Sequence, residues 1–157
     1  MTPDETVVRV TENAPWLPPV GRAEAFRGAV VPRPMSVVRL LLTRGDHVFC
    51  IARAETGLLD LPMRVTLNDD PHGAETMARL AYEVIGARCA LTFVGAVRNV
   101  VEAATDGYAW PTPLAHFGLW TAAADPSIDG VWLPVGGDES PLREKHWYPI
   151  VSGLTLA

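Results

Sequence analysis

Cysteine is scarce in this chain: two residues in 157, Cys50 and Cys89. Each lies in an apolar run, "HVFCIA" and "ARCALTF", which predicts free thiols rather than a disulfide. Basic charge is also in deficit, with thirteen Lys and Arg against eighteen Asp and Glu and a net charge of −5. That balance argues against nucleic acid as a partner, because non-specific binding needs a basic surface. It leaves room for a phosphate-bearing small molecule, which a local arginine cluster or a metal can hold on an acidic protein. No run approaches the ~18 apolar residues of a membrane span. The opening "MTPDETVVRV" puts acids where a secretory leader is basic. The expectation is a cytoplasmic protein with no membrane partner.

Several chemistries lack their residues. His47, His72, His116 and His146 are scattered with no HxxxH pair, and cysteine spacing for zinc is missing. "PVGGDES" has glycines but no Lys or Ser/Thr in phosphate-loop register. Ser140 and Ser152 have no nucleophile-elbow context.

What remains is a globular composition, 48% hydrophobic and 20% charged, in a chain of one-domain length. Residues 1–34 contain "TVVRV" and then "ENAPWLPPVGRAEAFRGAVVPRP", which holds five of the fourteen prolines. That density reads as an extended arm, docked through Trp16, Leu17, Val20 and Phe26, because proline interrupts both helices and sheet ladders. Residues 35–157 read as one domain. "MSVVRLLLT", the turn "RGDH" and "VFCIARA" suggest a hairpin. A short strand follows, with Pro62 at a bend, and "NDDPHG" is a loop.

A helix is expected over 73–85, with Met77, Leu80, Ala81, Val84 and Ile85 on one face and Gly86 at its C-terminal end. "CALTFVGAVRNVV" is a long strand with Gly95 as a bulge. "LAHFGLWTAAA" and "GVWLPVGG" supply further strands, and "PLREKHWYPIVSGL" a C-terminal helix broken at Pro149. The fold class is mixed α/β, a mixed sheet flanked by few helices. "HWYP" at 146–149, together with Trp132, Tyr108 and Trp110, offers aromatics either for a base-stacking pocket or for packing.

The order of hairpin, "DLP", loop, helix ending R-x-x-x-E-x-x-G and two strands resembles the Nudix superfamily. Its signature is G-x5-E-x7-R-E-U-x-E-E-x-G-U, where U is apolar. With Gly86 as the anchor, Arg79 matches the Arg, Ala81 and Ala87 the apolar positions, and Glu83 the first Glu of the pair. "LDLP" at 59–62 is similar to the strand leading into the loop, and "VWLP" at 131–134 to a late Trp-Pro segment. Leu80 and Val84 stand where the family has glutamates, and Pro71 and Val65 at the upstream Glu and Gly positions.

The resemblance implies cleavage of a nucleoside diphosphate linked to another group, with Mg²⁺ or Mn²⁺ held by carboxylates against the pyrophosphate. A substitute ligand set would draw on Glu83, Glu75 and Asp70, with Arg79 orienting Glu83 or a phosphate. Arg64, Tyr108 and Trp110 would contact a nucleotide-like substrate. At ~100° per residue, positions 80, 83 and 84 share one side of the helix, so Leu80 and Val84 form a dry wall beside Glu83. Glu83 also lies at pairing distance from Arg79, and an acid near the helix start suits capping.

Two functional readings therefore stand open. One is a divergent metal-dependent hydrolase; the other is a ligand-binding or interaction module that keeps the fold. Both oddities, the apolar arm and the apolar helix face, are met if Trp16, Leu17 or Val20 packs on Leu80 and Val84, within one chain or across a homodimer.

Overall fold

The computed structural model describes residues 4–154. Among these, the fold is mixed α/β with ten strands and two helices. The strands β1 (Thr6–Thr11), β2 (Arg22–Arg27), β3 (Met35–Leu41), β7 (Met63–Val65), β8 (Thr92–Val100) and β9 (Leu114–Thr121) form one sheet in the order β1-β2-β8-β9-β3-β7. Only β3 and β9 run parallel; the other pairs are antiparallel. A second, smaller sheet joins β10 (Val131–Pro134), β5 (His47–Ala52) and β4 (Thr43–Arg44), with β6 (Leu59–Asp60) also on β5.

The N-terminal segment is largely built into the sheet, and only the loop between its strands lies over the domain. Its β2 pairs with β8 along Arg22–Arg27, and β1 pairs with β2 at the sheet edge. The prolines cluster in the intervening loop and after β2, where no ladder hydrogen bond is needed. The expected hairpin is also divided. Residues 35–41 enter the large sheet beside β9 and β7, and only Thr43–Arg44 turns back on β5. A strand buried on both faces fits the interior of a large sheet better than an exposed hairpin.

Helix α1 (Ala74–Ile85) begins and ends close to the sequence expectation. Its apolar stripe packs on the sheet face formed by Phe26, Val38, Leu40, Phe93 and Trp120. The opposite face meets the short helix α2 (Tyr148–Ser152) through Leu41, Val97, Leu119, Ile150 and Val151. Pro149 starts this helix rather than breaking a longer one, since an N-terminal position does not need its missing N–H. Gly95 does mark a bulge: the β8–β9 register shifts between Phe93 and Gly95, and a Cβ there would strike the Phe26 carbonyl oxygen. Both cysteines are free, and burial, then Asp60, pushes the Cys50 thiol up to about 12 despite Lys145.

Candidate functional site

The loop before α1 settles what Asp70 does. Gly73 stands at the helix N-cap with φ 72°, a conformation suited to glycine, and it has no side chain to offer the helix. Asp70 supplies the missing acceptor. Its carboxylate takes the Thr76 N–H at 2.8 Å, the Thr76 hydroxyl at 2.6 Å and the Glu75 N–H at 3.3 Å. Burial would raise its pKa, but the bonds from Thr76, Glu75 and Ala74 together hold it below the usual carboxylate value. The carboxylate is thus occupied with two of the orphan donors of the helix.

The helix surface is paired differently from the sequence expectation. Arg79 reaches back to Glu75 at 2.9 Å instead of forward to Glu83. Glu83 is engaged by Arg64, which extends from β7. Leu80 and Val84 are 0% and 2% exposed and point into the sheet beneath. Trp16 and Val20 do not cover them: Trp16 stacks on His146 at 4.2 Å, and Val20 is 80% exposed. The dry wall is closed by the protein's own strands.

Asp70, Glu75 and Glu83 consequently serve three separate partners. Among the described residues no group of three or more His, Cys, Asp or Glu side chains is placed to hold a metal ion. A hard divalent cation needs several convergent oxygen ligands, and this donor set does not fit one. Glu75, Arg79 and Glu83 do line a common groove beside α1, of about 720 Å³, together with Tyr82, Arg88 and Cys89.

Arg64, Tyr108 and Trp110 are not gathered around one cavity. Arg64 lies with Glu83, whereas Trp110 borders two clefts. One is a shallow depression of about 420 Å³ with Asp69, Asp70 and Pro71. The other, of about 170 Å³, opens on the sheet face away from α1 and is lined by Trp16, Arg39, Asn99, Trp110, Phe117 and His146. Tyr108 is half-buried, and its hydroxyl has no hydrogen-bond partner. Of the "HWYP" aromatics, His146 joins Trp110 in this second cleft. Trp147 is core and donates its indole N–H to Asp60 at 2.9 Å, Tyr148 donates to the Val135 carbonyl at 2.6 Å, and Trp132 packs on Phe49.

This second cleft is built by strand alternation. Arg39 lies between Val38 and Leu40, which enter the core under α1, so its own side faces α2. Val97 and Asn99 project the same way from β8, and Phe117 from β9. The β1–β2 loop brings Trp16 over them; its own turns are closed by Ala14 N–H to Gly21 O and Gly21 N–H to Pro18 O. Burial lowers the pKa of Arg39, with Asp60 opposing and Arg53 adding to the effect. Arg39 is the residue that motif reading missed. Its signal was an arginine inside the apolar run "MSVVRLLLT", since a charged side chain drawn even partly into an apolar strand calls for a partner or a role.

A second buried polar group ties the N-terminal strands to the sheet. Arg98 binds Glu5 at 2.7 Å and Glu24 at 3.1 Å, and donates from Nε to His116 Nε2 at 3.0 Å. His116 Nδ1 lies 3.0 Å from the Pro34 carbonyl, so the ring is neutral with its proton on Nδ1. Comparison of the chain with protein-family models and with curated proteins returns no match.

Proposed function

We propose that this chain is a small-molecule-binding module on a Nudix-like fold rather than a metal-dependent pyrophosphohydrolase. One observation carries this reading: the three acids that a metal site would need are each engaged elsewhere, Asp70 in the helix start, Glu75 with Arg79 and Glu83 with Arg64. The cleft around Trp16, Arg39 and Trp110 supplies a concave site of mixed aromatic and polar character, the usual make-up of a ligand pocket. A nucleotide-like molecule suits it, because aromatic walls stack on planar rings.

The hydrolase reading retains one supporting observation, that Glu75, Arg79 and Glu83 face a common groove. Calorimetric titration with Mg²⁺ and Mn²⁺, alongside a turnover screen of nucleoside diphosphate derivatives, separates the two. The binding-module reading expects no saturable metal heat and no turnover. Metal-dependent turnover that disappears in Glu83→Ala would replace it with the hydrolase reading.

A further inference from the structure

We infer that the Arg39 cleft is an oxyanion receptor, and that its ligand is a planar ring bearing a carboxylate or phosphate which enters anion first. The inference rests on the binding-module reading and adds the charge and orientation of the ligand.

Arg39 is the basis. It sits on an interior strand with β9 on one side and β7 on the other. Its Nε is buried and has no hydrogen-bond partner, and among the described residues no carboxylate lies within ion-pairing distance of its guanidinium. The nearby acid, Asp60, is already committed. One of its oxygens accepts the Leu61 and Trp147 N–H groups, at 2.8 and 2.9 Å, and the other faces Lys145 at 3.7 Å and Arg53 at 4.0 Å.

Asp60 is thus shared by Arg53 and Lys145, Arg53 also has Glu55 at 3.9 Å, and Arg39 is left as the cation in excess of these two acids. A half-buried arginine whose buried Nε lacks a partner is unfavourable unless something compensates it. A carboxylate or phosphate does so well, because the planar fork of arginine matches two oxygens at once.

The walls set the rest of the ligand. Trp16, stacked on His146, and Trp110, edge-on to Phe117 at 5.2 Å, present flat apolar surfaces beside the guanidinium. The inner cavity of about 170 Å³ fits an anionic head and a single ring. An adjoining groove of about 330 Å³ shares Trp16, Val97 and His146 with it and adds three cations, Arg9, Arg143 and Lys145, against one acid, Glu144. A larger substituent would extend outward along that groove. Such a ligand places its charge at the cleft floor and its ring against the tryptophans.

The test uses the full chain and quenching of tryptophan fluorescence, checked by calorimetry. Two matched pairs are titrated: benzoate with benzamide, and adenosine monophosphate with adenosine. The expected result is that at least one anion binds ten times or more tightly than its neutral partner, and the pair that responds identifies the source of the oxyanion. Arg39→Gln should remove at least tenfold of that affinity, Arg39→Lys should recover part of it, and Arg79→Gln, across the sheet, should leave it unchanged.

Equal binding of neutral and anionic partners, binding indifferent to Arg39→Gln in a folded variant, or no binding of either anion would overturn the inference. Should Arg39→Gln fail to fold, the neutral-against-anion ratio in the unaltered protein decides. Tight binding of adenosine without charge preference would sink the oxyanion receptor and leave the binding module standing. Metal-dependent turnover sensitive to Glu83 would instead overturn the binding-module reading itself, and with it the inference that rests on that reading.

Discussion

Trp16 lies flat on His146, with 4.2 Å between ring centroids and 24° between planes. The contact joins the β1–β2 loop to the segment that precedes α2, so the proline-rich part of the chain closes over the sheet face opposite α1. Trp16 is 44% exposed, and the stack is worth on the order of 0.5–1.5 kcal/mol beyond area burial. Trp16→Ala is expected to lower stability by that amount plus the lost burial of a half-buried ring, about 2–3 kcal/mol together, while leaving the fold intact. Urea denaturation measures the loss; a loss far above that range would mean that the loop organises the sheet itself.

His146 is also a source of pH dependence. Burial lowers its pKa below the ordinary histidine value, and Arg39 and Lys145 act in the same direction against Asp60. His116 is lowered too, by burial first, with Arg98 adding to it and the Pro34 carbonyl, Glu5 and Glu24 opposing. A histidine with a depressed folded pKa binds its proton more readily when unfolded. Its neutral form therefore supports the fold above the unfolded pKa of ~6.5, and stability falls as the pH drops through that value. Thermal unfolding should shift downward between about pH 7.5 and about pH 5.5. His146→Gln should flatten part of that slope, and an unchanged slope would remove His146 from the account.

Asp70 makes the opposite assignment testable at the helix start. As an acceptor for the Glu75 and Thr76 N–H groups, it should contribute about 1–2 kcal/mol. Asp70→Ala should show this loss in chemical denaturation with or without added Mg²⁺. Its lowered pKa means that the contribution is present above the unfolded value near 3.8 and is lost as the pH falls toward the lower folded value. A loss seen only in the presence of metal would contradict the capping role.

Leu80→Glu combined with Val84→Glu restores the acids of the family signature on paper. In this fold both positions are closed against the sheet, and burying a carboxylate there costs several kcal/mol per group. The double variant should fail to fold, as read by circular dichroism, instead of acquiring a metal site. Leu80→Ala alone should be destabilised by about 2–5 kcal/mol. A folded, metal-binding double variant would reverse the account of this helix.

Arg98 and Arg79 should differ sharply. Arg98→Met leaves Glu5 and Glu24 without their buried partner, and breaking such a pair costs about 3–5 kcal/mol. Arg79 and Glu75 are both largely exposed, and Arg79→Ala should change stability by no more than about 0.5 kcal/mol. Equilibrium unfolding of the two variants checks the contrast, and similar losses would refute it.

Local chemistry made much of the architecture legible in the sequence. The stripe Met77-Leu80-Ala81-Val84 specifies a helix with one buried face, and Gly86, at φ 83°, ends it. Gly95 and Pro62 mark an irregular strand and a break for reasons that depend on a few neighbouring atoms. Among the described residues no helix is long and apolar enough to cross a membrane, in keeping with the short apolar runs.

Pairing between distant residues was decided only by the tertiary structure. Sequence spacing gave Glu83 an equal claim on Arg79, but β7 brought Arg64 to it and left Arg79 to Glu75. Proline density suggested an arm, yet the residues between the prolines had the extended backbone that β8 needed as a partner. The cleft was the least legible feature, because Trp16, Arg39, Trp110 and His146 come from four separated segments. Periodicity within a segment fixes which face is apolar. Which side chains meet across that face depends on sheet order and register, and it is those that set an unpaired arginine among tryptophans.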